Sequence, residues 1–124
     1  MVKELFRPAT PEDAVALLAK HKGKAKVLAG GTDLVVLMRA GKIAPEVIVS
    51  LNGIAALRSL SFNPDDGLRI GALTTHSELI ENGDVQARYP VLAETAGTLA
   101  GPPVRNAASV AGNLCHAAPS ADFG

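Results

Sequence analysis

Two glycine-bearing stretches constrain this chain more than any other feature. They are Val27-Leu28-Ala29-Gly30-Gly31-Thr32-Asp33-Leu34 and Val104-Arg105-Asn106-Ala107-Ala108-Ser109-Val110-Ala111-Gly112-Asn113. Each sets bare backbone and a hydroxyl between an apolar run and a stretch able to turn helical. Glycine allows positive φ and lets the main chain approach a ligand closely. Successive free N–H groups at such a turn form an anion site. Two of them in one small chain suggest a diphosphate held from both sides, hence a dinucleotide. Neither is a common nucleotide fingerprint. G-x-G-x-x-G does not occur, and Gly41-Lys42 is followed by Ile43 with no glycine five residues ahead. Taken singly, each stretch also reads as a tight strand-to-helix turn or as close packing by small residues.

The local signals place these loops in an α/β framework. Thr10-Pro11-Glu12-Asp13 is a helix start: a hydroxyl cap, proline in the first turn, then acids for the dipole. This helix should stop at Gly23. Lys24 to Leu28 reads as a strand into the first loop, Asp33 to Ala40 as a short helix capped by Thr32, and Val47 to Leu51 as a buried strand. Further on, Leu57 to Phe62 and Leu68 to Ala72 flank Asn63-Pro64-Asp65-Asp66-Gly67, which predicts a hairpin. Thr75 with Glu78 fits a capping box for a helix to Ile80, and Pro90 to Ala100 reads as an Ala-rich helix. Arg105 to Gly124 has little periodicity, and so long an irregular stretch implies that it wraps a ligand. The expected division is a βαβ-like lobe over residues 1–53 and an α+β lobe over 54–124.

Composition removes several function classes. In 124 residues there is one cysteine, Cys115, which excludes a disulfide framework or a cysteine-held cluster within this chain. Twelve basic and twelve acidic residues balance, and the cluster Lys20-His21-Lys22-Gly23-Lys24 lacks aromatic companions. That argues against a nucleic-acid partner. No apolar run approaches the ~20 residues of a membrane span, and the Met-Val-Lys-Glu start is no signal peptide. A soluble cytoplasmic α/β protein is the expectation. His21, His76 and His116 show no metal-ligand spacing and read as surface or capping residues; Cys115 reads as a small buried filler. Arg105 suits either a diphosphate or a structural salt bridge.

Four motifs occur in order: Gly30-Gly31-Thr32-Asp33-Leu34, Ile70-Gly71-Ala72-Leu73-Thr74-Thr75-His76-Ser77-Glu78-Leu79, Val104-Arg105-Asn106 leading to Ser109-Val110-Ala111-Gly112-Asn113-Leu114, and Ala118-Pro119-Ser120-Ala121-Asp122. Together they resemble the FAD-binding domain of the molybdopterin-dehydrogenase flavoproteins, which include xanthine dehydrogenase, aldehyde oxidase and carbon monoxide dehydrogenase. The resemblance implies two small α/β lobes with FAD between them. Ala29, Gly30, Gly31, Thr32, Asp33 and Leu34 would then supply amides and a hydroxyl to the pyrophosphate. Ser109, Val110, Ala111, Gly112 and Asn113 would form the second phosphate-facing loop, with Asn113 near the flavin. Ala72 would lie close to the cofactor, and Asp122 would accept bonds from sugar hydroxyls.

The implied activity is electron relay from iron–sulfur clusters of one partner subunit, fed by a large molybdopterin subunit, through FAD to an external acceptor. No catalytic residue and no metal ligand is assigned in this chain. The family's second loop reads Thr-Ile-Gly-Gly, whereas Ser109-Val110-Ala111-Gly112 adds a methyl at Ala111. Family members also continue beyond the Asp122 motif, so an incomplete second lobe with an uncovered hairpin edge, open to self-association, is expected. A module of the same fold that has lost FAD, and a mononucleotide-binding enzyme, stay open as alternatives.

Overall fold

A computed structural model describes residues 1–117. The chain divides into two compact units, the first spanning Met1–Leu57 and the second beginning at Arg58.

The first unit is a parallel sheet with strands β1 (Glu4–Phe6), β2 (Ala25–Leu28) and β3 (Val47–Ser50) in the order β1-β3-β2. Leu5 pairs with Ile48 and Lys26 pairs with the same residue from the other side. All four residues of the central strand are buried, which explains its unbroken apolar run. Helix α1 (Pro11–Lys20) starts where its signals place it, with Thr10 Oγ1 accepting from the Asp13 amide at 3.2 Å. It ends before the expected Gly23, which instead takes φ +83° in the turn into β2. Ala14 packs on Val47, Val49 and Ile54, with Phe6, Leu17, Leu18 and Leu51 around them. Helix α2 (Leu34–Arg39) follows the first glycine loop; Asp33 rather than Thr32 holds its cap position, without a side-chain cap bond. Strand β3 gives way at Leu51 to a 3-10 turn, Leu51–Gly53.

The second unit pairs β4 (Leu60–Asn63) with β5 (Gly67–Ile70) as an antiparallel hairpin. Asn63 Oδ1 accepts from the Asp65 amide at 2.9 Å and Gly67 takes φ +84°. The strand starts later than expected because Leu57 is drawn into the first unit's core and a 3-10 turn, Ala55–Arg58. Helix α3 (His76–Glu81) carries the full capping box of Thr75 and Glu78. Helices α4 (Gly83–Arg88), α5 (Pro90–Thr98), α6 (Pro102–Arg105) and α7 (Val110–His116) complete the described part. Leu79, Val85, Ala96 and Val110 form its core, bordered by Leu60, Leu68 and Ile70 of the hairpin.

Two expectations are corrected here. The stretch after Arg105 is not irregular as far as Ala117: Ser109 Oγ accepts from the Gly112 amide at 3.1 Å and starts α7. Cys115 is exposed rather than buried, since α7 turns only Val110 fully inward. Among the described residues no helix is long and apolar enough to cross a membrane.

Candidate functional site

The first loop leaves β2 at Leu28 and is tied down at once. Asn52, just past the end of β3, donates through Nδ2 to the Ala29 carbonyl at 3.0 Å and to Ser50 Oγ at 3.2 Å. Gly31 then takes φ +76°, a conformation costly for any residue with a Cβ. A Cβ there would also stand 3.1 Å from Leu28 Cδ1 and 3.2 Å from Val35 Cγ2. The Gly31 carbonyl accepts from the Val35 amide at 3.0 Å and the Asp33 carbonyl from the Leu37 amide at 2.9 Å, which opens α2.

What the loop leaves over is a set of donors. Among the described residues, the amides of Gly30, Gly31, Thr32, Asp33 and Leu34 find no hydrogen-bond acceptor. Five successive N–H groups with no acceptor among the described residues, on a turn bent by a left-handed glycine, make a donor cradle. No lysine or arginine lies within Ala29 to Leu34, so the donors of this stretch are its amides and the Thr32 hydroxyl. Such a donor set fits a diphosphate.

The second stretch is built differently. Val110 donates to the Thr74 carbonyl at 3.2 Å and Asn113 to the Ser109 carbonyl at 3.1 Å. With Gly112 bonded to Ser109 Oγ, Ala111 alone among Val110 to Asn113 has an amide with no acceptor among the described residues. The expected phosphate-facing loop is therefore mostly the satisfied first turn of a helix. Gly112 is demanded by the cap itself, because a Cβ there would stand 2.8 Å from Ser109 Oγ. Ala111 does not adopt positive φ, so its methyl imposes no backbone strain. Ala72 sits half-buried in the turn that the Thr74 amide closes on the Gly71 carbonyl at 3.0 Å. That turn leads directly to the Thr74 carbonyl which receives Val110. Asp122 lies outside the described residues.

Three further residues differ from or extend the sequence reading. His76, expected as a surface or capping residue, is completely buried, with Nδ1 2.7 Å from the Ala108 carbonyl. Nothing in the local sequence signals this, because its partner lies 32 residues away. Asn52 likewise looks like a plain turn residue until Ala29 is brought to it. Arg105 has no carboxylate partner among the described residues; Nη2 lies 3.5 Å from the Ala100 carbonyl and the buried Nε finds no acceptor.

The family described as the FAD binding domain in molybdopterin dehydrogenase matches residues 1–124. The xanthine dehydrogenase FAD-binding subunit of Escherichia coli O157:H7 is 41% identical over 116 residues, covering 94% of this chain and 39% of that protein. The carbon monoxide dehydrogenase medium chain of Hydrogenophaga pseudoflava is 38% identical over 119 residues, covering 96% of this chain and 41% of that one. Among solved structures, reconstituted carbon monoxide dehydrogenase from Oligotropha carboxidovorans superposes with a TM-score of 0.93 at 33% identity, over 99% of this chain and 42% of that one. The chain thus spans about two fifths of the length of the relatives it matches.

Proposed function

We infer that this chain, a member of the FAD-binding domains of the molybdopterin dehydrogenases, is the part of a molybdenum-containing hydroxylase or dehydrogenase complex through which electrons leave. The observation that carries this reading is the run of amides from Gly30 to Leu34 that have no acceptor among the described residues, around a left-handed Gly31. When bound, FAD supplies the redox chemistry, and the protein supplies position and electrostatics.

The roles of the residues follow from their donor chemistry. The amides of Gly30, Gly31, Thr32, Asp33 and Leu34, with the Thr32 hydroxyl, hold the diphosphate, and Asn52 keeps Ala29 and the start of the cradle in place. Ser109, Val110, Ala111, Gly112 and Asn113 present the Ala111 amide and the start of α7 to the same cofactor. Ala72 shapes the neighbouring turn, and Asp122 accepts from sugar hydroxyls. None of these groups needs to act as an acid or a base.

Electrons must arrive from elsewhere. A single cysteine cannot hold an iron–sulfur cluster, and among the described residues no three metal-ligating side chains gather. An iron–sulfur subunit and a large molybdopterin subunit are accordingly the proposed partners, with an external acceptor taking the electrons from FAD. The test is the visible absorption spectrum of the purified protein, followed by acid precipitation. Flavin bands that pass wholly into the supernatant are expected. A protein without them, or with flavin left in the pellet, would overturn the proposed non-covalent site.

A further inference from the structure

The motif Thr74-Thr75-His76-Ser77 takes no part in the cradle, yet every one of its residues is engaged by the stretch from Asn106 to Val110 that leads into and opens α7. The Thr74 carbonyl accepts from Val110, Thr75 forms an isolated antiparallel bridge with Ser109, and Ser77 Oγ bonds Asn106 Oδ1. His76 contributes most. Its amide donates to the Ala108 carbonyl at 3.0 Å, and its ring Nδ1 reaches the same oxygen at 2.7 Å. A carbonyl can only accept, so Nδ1 carries the hydrogen. Two donors from one residue on one oxygen define both the position and the tilt of the peptide leading into Ser109.

Helix α7 has little of its own to hold it there. It has seven residues, with glycine, asparagine and cysteine among them, and buries only Val110 completely. Helix α3, by contrast, is anchored by its capping box and by Leu79, which is fully buried in the core. His76 is also fully buried, as is Thr74. Helix α3 thus brings a capping box and two fully buried residues, His76 and Leu79, to the contact, and α7 brings the Ser109 cap and Val110.

We propose that His76 is a positioning residue for the cofactor: through the Ala108 carbonyl it places Ser109 to Asn113 for contact with FAD. This rests on the reading of Ser109 to Asn113 as part of the flavin site. The acceptor of its Nδ1 is a carbonyl 32 residues along the chain, so that bond serves the geometry of the second stretch.

The test compares His76→Asn and His76→Leu in the intact protein. The asparagine amide nitrogen stands near the place of Nδ1 and can still donate to Ala108, whereas leucine fills the volume without a donor. Loss of one buried hydrogen bond at the site should weaken FAD binding about tenfold in His76→Leu. The visible circular dichroism of the bound flavin should change with it. His76→Asn should restore both, staying within about threefold of the parent affinity. A general loss of stability would not give that pattern of rescue. Should His76→Leu fail to fold, Ser77→Ala cuts the neighbouring tie to Asn106; faster amide hydrogen exchange at Val110 and Gly112 with weaker FAD binding is then expected. Unchanged exchange and affinity in Ser77→Ala would count against the clamp. Equal affinity and dichroism in parent and His76→Leu, or an asparagine variant as impaired as the leucine one, overturns the inference and leaves the flavin site standing. A parent protein that binds no FAD overturns both.

Discussion

Replacing Gly31 by alanine should separate the cost of a strained backbone from the cost of a damaged cradle. At φ +76° an alanine pays about 1–2 kcal/mol for the left-handed conformation. Its Cβ would meet Leu28 Cδ1 at 3.1 Å and Val35 Cγ2 at 3.2 Å; both are side-chain ends that can give by a few tenths of an ångström. The chain should therefore relax by swinging the 30–34 amides rather than by unfolding. Losing even one amide bond to a charged phosphate oxygen is worth about 1.5–3 kcal/mol, or about 10- to 150-fold in Kd. Gly23→Ala is the control. Gly23 sits at φ +83° with nothing within 4 Å of its would-be Cβ, so it carries the backbone cost without touching the loop. Chemical denaturation should show both variants destabilised by similar amounts, while flavin titration shows weakened binding in Gly31→Ala alone. If the two variants bind FAD equally well, the cradle assignment is wrong.

Two other perturbations probe the units separately. Leu79→Ala empties a fully buried position in the second core and should cost about 2–5 kcal/mol in denaturant unfolding; a loss below about 1 kcal/mol would show that this core does not pack as described. In the first unit, Lys3 Nζ lies 3.3 Å and Lys24 Nζ 3.9 Å from Glu46 Oε2. The hydrogen bond from Lys3, followed by the charge of Lys24, holds the Glu46 carboxyl below the ordinary glutamate value. Its folded pKa being the lower one, the pair stabilises the fold above the unfolded value, and that contribution fades as pH falls through the depressed pKa. An NMR titration should place Glu46 below the ordinary glutamate value, and Lys3→Met should raise it; no movement in Lys3→Met would refute the pairing.

The candidate site was legible in the sequence only in part. The strand-to-loop transition at Leu28 and the need for glycine at Gly31 follow from local composition, and the structure supplies the left-handed φ they call for. The second stretch reads as an open loop because its residues are small and polar. Its one local signal is the hydroxyl of Ser109 three residues before Gly112, a cap pattern weakened by the poor helix formers that follow it. Helix α4, absent from the sequence reading, starts where the Asn82 side chain accepts from the Val85 amide at 3.0 Å.

What the sequence determined by itself is what neighbouring residues settle among themselves. Thr10 with Pro11, Thr75 with Glu78, and Asn63 through Gly67 each close their bonds within a few positions, so their helices and hairpin form where those residues stand. Tertiary structure decided the rest. Glu4-Leu5-Phe6 is a strand only because Val47 to Val49, more than forty residues on, offers the paired edge. His76 is buried rather than exposed, and Asn52 holds Ala29, because their partners are distant carbonyls. A capping hydroxyl finds its amide within one turn, whereas a strand edge or a buried imidazole must be satisfied by whatever group the fold brings to it.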